Sequence, residues 1–115
     1  MLLIKQLEQK LPKEHEFSLM TEFEKSALFD IIEPLKDPTI VEIGTYLGGS
    51  AAIMASSNQS AKIYTYDLYN GYDTDPFFKD TLLTKALGTG VPRNILTVSL
   101  LLKEYKNILV KKLLC

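Results

Sequence analysis

The sequence predicts an α/β fold in which about three parallel strands are flanked by helices, and three stretches carry that expectation. Thr39 to Ile43 (TIVEI) is a short β-branched run ending at a glycine, the pattern of a strand buried on both faces of a parallel sheet. Ser50 to Ser57, directly behind a glycine-rich turn, has helical composition through Ala51, Ala52, Ile53, Met54 and Ala55. Lys62 to Asp67 then alternates like a second strand. Strand, turn, helix and strand make a βαβ unit, whose crossover is expected to be right-handed.

The other elements follow in chain order. Leu2, Leu3, Leu7 and Leu11 stand near helical spacing and stop at Pro12, which predicts a short N-terminal helix. Lys13 to Ser18 is polar and reads as a connector. Thr21 and Glu24 have the spacing of a capping box. Behind them Phe23, Ala27, Leu28, Ile31, Ile32 and Leu35 form one apolar helical face. Pro34 frays the last turn of that helix, and Asp37-Pro38 closes the segment. Gly49 or Ser50 is the expected cap of the next helix, and Asn58 to Ser60 its end. Beyond Asp67, residues 70–76 are turn-rich, and a helix from Phe77 to Leu87 is closed by Gly88. Asn94 to Val98 reads as the third strand. Leu101, Leu102, Tyr105, Ile108, Leu109 and Leu113 place the tail, Leu100 to Leu114, in a helix. Residues 1–18 are thus an N-terminal helix and connector, and residues 19–115 one α/β domain.

Composition narrows the function. The 115 residues are 46% hydrophobic and 23% charged, as in ordinary globular domains. A net charge of −1 gives no electrostatic basis for binding nucleic acid or an anionic membrane. Lys103, Lys106, Lys111 and Lys112, with Glu104 among them, read as a solvated helix face. The single cysteine, Cys115, allows neither an intrachain disulfide nor a metal-ligand spacing. Asp73 and Asp75 lack a third ligand and read as turn residues, so no metal site is expected. His15 sits among charges and is expected to be solvated, while Tyr64, Tyr66, Tyr69 and Tyr72 are expected in packing and surface roles. The opening apolar residues are interrupted at Lys5, and no run approaches the roughly 20 residues of a membrane span. A soluble, cytoplasmic protein is expected. No nucleophile-base pair can be assembled, and no catalytic residue is assigned.

The informative stretch runs from Val41 to Ala51. A strand that ends in glycine and turns into a helix places backbone N–H groups at the carboxyl edge of a sheet, where open parallel sheets bind ligands. Gly44 allows positive φ and removes a β-carbon from the path of a ligand. Gly48 and Gly49 let the helix start pack closely. A dinucleotide fingerprint needs glycine where Tyr46 stands, and a triphosphate loop needs a Gly-Lys-Ser/Thr ending that is missing. Glu42, two places before the first glycine, suits a cationic ligand rather than a phosphorylated one. S-adenosylmethionine carries a sulfonium and an ammonium and no phosphate. Asp67 ends the next strand, where Rossmann-type sites place the carboxylate that accepts from ribose hydroxyls.

Glu42-x-Gly44-x-x-x-Gly48-x-Ser50 followed by Asp67 resembles class I S-adenosylmethionine-dependent methyltransferases, and the Gly44-to-Ser50 form is similar to small O-methyltransferase-like domains. The resemblance is good from about Thr21 to Asp67 and implies a partial Rossmann-like methyltransferase domain, the cofactor-binding half of the family's sheet. It implies that Glu42 holds the methionine ammonium and that Gly44, Thr45, Tyr46, Gly48, Gly49 and Ser50 wrap the methionine carboxylate and sugar. Asp67 would then hold the ribose, with Leu68 against the adenine. The implied cofactor is S-adenosyl-L-methionine, and the implied partner a small-molecule or glycan methyl acceptor. Two other readings stand beside it. One is a truncated, inactive domain that acts through binding or as a homodimer, through an exposed sheet edge at Thr39 to Ile43 or the tail helix. The other is a nicotinamide binder, disfavoured by Tyr46 and Glu42.

Overall fold

In the computed structural model, which describes residues 10–69, 84–85, 87–88 and 94–113, the predicted βαβ unit is present. Strand β1 (Thr39–Ile43) pairs in parallel with β2 (Lys62–Asp67), Thr39 opposite Lys62 and Glu42 opposite Thr65. Helix α2 (Gly49–Ser57) makes the crossover after a first helix, α1 (Glu22–Ile32). A third helix, α3 (Ile95–Leu101), leads to strand β3 (Ile108–Lys112), which pairs in parallel with the far side of β2. The sheet is α/β with three parallel strands in the order β1-β2-β3.

The period-two alternation of the strands decides where the core lies. Ile40, Ile63, Ile108 and Val110 point to one face and pack under the helices. There α2 buries Ala51, Ala52, Ile53, Met54 and Ala55, apolar all round because α1 and a short 3₁₀ helix (Lys13–Phe17) cover its outer side. The opposite sheet face is different: Val41 is 61% and Ile43 69% exposed. The expectation of a strand buried on both faces is therefore corrected. A β-branched run is favoured wherever one face packs, and among the described residues β1 is an edge strand with its odd-numbered side chains turned from the helices.

At the start of α1 the capping box is formed as expected. The Glu24 N–H donates to Thr21 Oγ1 at 3.3 Å, and the Thr21 N–H to Glu24 Oε1 at 2.9 Å. These bonds hold the exposed Glu24 carboxyl below its ordinary range. The buried stripe is rotated from the one predicted: Lys25, Ser26, Phe29 and Ile32 are inside, while Phe23, Ile31 and Leu35 are exposed. Lys25 is accommodated because its Nζ donates to Glu22 Oε1 at 3.3 Å and to His15 Nδ1 at 3.1 Å. His15 is thus a half-buried partner rather than a solvated side chain. The stretch read as a connector is the 3₁₀ helix, and its Glu14 is buried and accepts from the Tyr105 hydroxyl.

Two further expectations are overturned. Asn94 to Val98 is no strand: the Asn94 side chain accepts from the Thr97 N–H at 3.0 Å, an N-cap that starts α3 despite β-branched Thr97 and Val98. The tail is no helix. It turns after Leu102, and Ile108–Lys112 adds to the sheet edge, where backbone pairing with β2 outweighs the apolar spacing. Lys103, Lys106, Lys111 and Lys112 are exposed as expected, but on a turn and a strand. Thr84, Lys85 and Leu87 are helical, and Gly88, at φ +94°, closes that turn by donating its N–H to Thr84 O at 2.8 Å. The N-terminal helix before Lys10, the 70–76 turns, most of the 77–87 helix, and Tyr72, Asp73, Asp75 and Cys115 lie outside the described residues. Among the described residues no helix is long and apolar enough to cross a membrane.

Candidate functional site

The turn from β1 into α2 is built from three glycines with three different tasks. Gly44 has φ +96°, and a β-carbon there would meet nothing within 4 Å, so the space above it is open. Gly48 is the left-handed N-cap of α2, one residue ahead of the predicted cap, and a β-carbon there would stand 2.6 Å from Leu102. A β-carbon on Gly49 would stand 2.3 Å from the backbone nitrogen of Ser18. Gly48 therefore packs α2 onto the end of α3, and Gly49 packs it beneath the N-terminal segment.

Over this turn lies a cleft of about 330 Å³. Gly44, Thr45, Tyr46, Gly49 and Ser50 form one wall, and Phe17 to Met20 with Glu24 form the other. The second wall was invisible in the sequence, since only tertiary packing carries the connector there. Five of the nine predicted cofactor residues thus meet at one cleft, while Glu42, Gly48, Asp67 and Leu68 are not on its surface. Helix α2 begins without a side-chain cap, so its first N–H groups are not satisfied that way.

Asp67 ties the turn to the tip of β2. Its Oδ2 accepts from the Tyr46 N–H at 2.9 Å and its Oδ1 from the Tyr69 N–H at 3.3 Å. Tyr46 and Tyr69 both have positive φ, +51° and +50°. A left-handed non-glycine backbone is costly unless its surroundings hold it, and the Asp67 carboxylate supplies part of that restraint at both residues. Two donors leave this carboxylate with acceptor capacity for ligand hydroxyls. Leu68, between the two contacts, is exposed at 37%.

Glu42 lies beneath the cleft. Ser50 Oγ donates to its Oε2, and Thr65 Oγ1 to its Oε1 at 2.6 Å. Thr65 is fully buried and in turn meets the Thr45 hydroxyl at 2.6 Å. Burial pushes the Glu42 carboxyl up; the Ser50 and Thr65 hydroxyls pull it back, and the Asp67 charge adds to the rise. The folded protein therefore holds this proton more tightly than the unfolded chain. Stability from Glu42 is full below the unfolded carboxyl range and is lost as pH rises through the raised folded one.

Sequence reasoning missed Thr65, although a threonine on the inward face of β2, in line with Ile63, was a signal for a buried polar contact. Tyr69 has the packing role expected of it, within the core. Tyr69 is 4% exposed, and among the described residues its buried hydroxyl makes no hydrogen bond. Burial pushes the phenol up to about 12, eased by the nearby Thr45 hydroxyl and raised further by Asp67 and Glu42. Tyr69 is a protonated donor at working pH.

Compared with known proteins, the chain matches no family model and no curated sequence.

Proposed function

We propose that this chain binds S-adenosylmethionine at the glycine turn, in support of methyl transfer to a hydroxyl or amine of a small molecule or glycan. The observation that carries the reading is the cleft itself: it opens over Gly44 and the start of α2, which has no side-chain cap, with the Glu42 carboxyl beneath it and no basic side chain among the described residues of its wall. The first N–H groups of α2 suit the methionine carboxylate. The spare acceptor capacity of Asp67 suits the ribose hydroxyls, and exposed Leu68 offers an apolar surface to the adenine. Glu42 and Asp67, neither paired with a cation among the described residues, favour a positively charged ligand over a phosphorylated one. Methyl transfer needs the sulfonium carbon held in line with an attacking oxygen or nitrogen, so positioning supplies most of the catalysis. A cytoplasmic setting accompanies this reading.

Asp67→Ala is expected to weaken S-adenosylmethionine binding about thirtyfold, on the order of 2 kcal/mol, in isothermal titration. Equal affinity in the two proteins removes Asp67 from the site. A second reading has one observation in its favour. Edge strand β1 exposes Val41 and Ile43, a surface on which a catalytically inactive domain could pair with a second copy. A chain that self-associates yet takes up no nucleoside in the same titration belongs to that reading.

A further inference from the structure

We propose that β1 is a pairing strand for a second copy of this chain, antiparallel about a two-fold axis at Val41, which joins two sheets into one. The pairing makes specific the self-association considered above for β1. It leaves the cleft free, since Thr39, Val41 and Ile43 do not line it.

Backbone groups set the register. Neighbouring residues of a strand turn their N–H and C=O groups to opposite sides. Pro38 O accepts from the Lys62 N–H at 2.8 Å, and the Gly44 N–H donates to Tyr66 O at 2.7 Å. The even-numbered residues between them, Ile40 and Glu42, therefore turn toward β2, and Thr39, Val41 and Ile43 turn outward. Among the described residues no strand lies on that side, and these outward N–H and C=O groups have no protein partner. An antiparallel copy centred on Val41 satisfies all of them at once. Val41 meets the partner's Val41, and Thr39 meets the partner's Ile43, each pair exchanging both of its hydrogen bonds. A register shifted by two residues strands an outward residue at one end of each strand.

Side chains and charges agree with this pairing. The facing residues are all β-branched, and such pairs pack well across a sheet. Within β1 only Glu42 is charged, and its carboxyl is held from inside the chain by Ser50 and Thr65. At the amino end of β1 and β2 stand Lys36, Asp37 and Lys62; at their carboxyl end stand Glu42 and Asp67. Antiparallel pairing sets the more basic end of each chain beside the acidic end of the other, whereas parallel pairing sets like ends together. The opposite border of the sheet differs. There β3 carries Lys111 and Lys112, both exposed, the kind of charge that keeps a free edge from pairing. No lysine or proline interrupts β1. A two-fold contact of this kind uses up the β1 edge and closes at two copies rather than growing into a filament.

A strand of 5 residues buries little area, so the dimer belongs to the weak class of interfaces, with a dissociation constant on the order of 100 µM. Sedimentation equilibrium of the intact chain, from about 10 µM to about 1 mM, measures it. Amide hydrogen exchange across the same range reads the register. Protection at Thr39, Val41 and Ile43 is expected to rise with concentration, while protection at Ile40 and Glu42 stays constant. Val41→Pro deletes an outward N–H that the single chain does not use, and a solvent-facing position on an edge strand tolerates proline. Val41→Lys sets two ammonium groups against each other across the axis. Each is expected to weaken the dimer about tenfold or more. Because Val41 is exposed in the single chain, dilute Val41→Lys is expected to keep the wild-type urea midpoint. Wild-type protein that stays monomeric at about 1 mM overturns the inference and the self-association reading together. A dimer that survives in folded Val41→Lys, or concentration-dependent protection on other elements, overturns the pairing strand alone and moves self-association to another surface.

Discussion

Gly49→Ala is expected to destabilise the fold by about 3 kcal/mol, the upper end of what an added methyl costs in a packed interior. The new β-carbon would stand 2.3 Å from the Ser18 nitrogen and 2.8 Å from the Phe17 carbonyl carbon and the Ser18 α-carbon. All three are backbone atoms, so no side-chain rotation relieves the contact. Either α2 slides along the sheet or the Phe17 to Met20 segment lifts away, and that segment is the second wall of the cleft. The crowding at Gly48 is of another kind, because the Leu102 side chain it would meet can move; there the φ of +89° carries much of the penalty. A urea midpoint for Gly49→Ala equal to that of the wild type contradicts the packing described.

The second large effect belongs to Asn58, which closes α2 and is 8% exposed. Its Nδ2 donates to the carbonyls of Ile32 at 3.0 Å and Leu35 at 2.6 Å, and its Oδ1 accepts from the Ser60 N–H at 3.1 Å and hydroxyl at 2.6 Å. One side chain thereby joins the end of α1, the end of α2 and the turn into β2. Asn58→Ala leaves these partners without it in a site too closed for full hydration. The expected loss is about 3 kcal/mol, the cost of stranding more than one buried polar group. Asn58→Asp is expected to do at least as much damage at neutral pH, since it sets a carboxylate against two carbonyl oxygens. The damage should ease as the acid protonates. Chemical denaturation of both variants at neutral and acidic pH checks this, and an aspartate variant as stable as wild type at neutral pH would exclude the assigned donors.

What the sequence revealed follows from where local and global forces agree. The run from Thr39 to Asp67 is legible because strand propensity, glycine placement and helical composition all favour the same βαβ unit. The capping box at Thr21 is legible because both its partners lie within one turn of chain. Beyond Asp67 the signals conflict. Apolar residues from Leu101 to Leu113 satisfy a helical period, yet Ile108 and Val110 also alternate as a strand, and the open edge of β2 decides between them. Asn94 was a cap signal overlooked among β-branched neighbours. The edge position of β1 is expected only by the truncated-domain reading, because it depends on sheet order, which no residue of β1 encodes.

The site divides along the same line. Gly44, Thr45, Tyr46, Gly49 and Ser50 reach the cleft because they are contiguous with the turn that makes it. The pairing of Glu42 with Thr65 requires the register of two strands, and the arm through Ser50 requires α2 to be folded back over them. Asp67 stands where the motif puts it, but its hold on the Tyr46 and Tyr69 N–H groups is a product of tertiary geometry. The glycine at position 49 reads in sequence as a close-packing residue, and the fold adds what it packs against, the backbone of Phe17 and Ser18.

The most direct measurement is backbone amide NMR of the intact chain during titration with S-adenosylmethionine. The expected result is saturable shifts confined to Gly44 through Ser50, the Phe17 to Met20 wall, and Asp67 through Tyr69, with the edge strand residues Thr39 to Val41 unmoved. Saturable shifts elsewhere with the glycine turn silent, or no shifts at millimolar ligand, would contradict it.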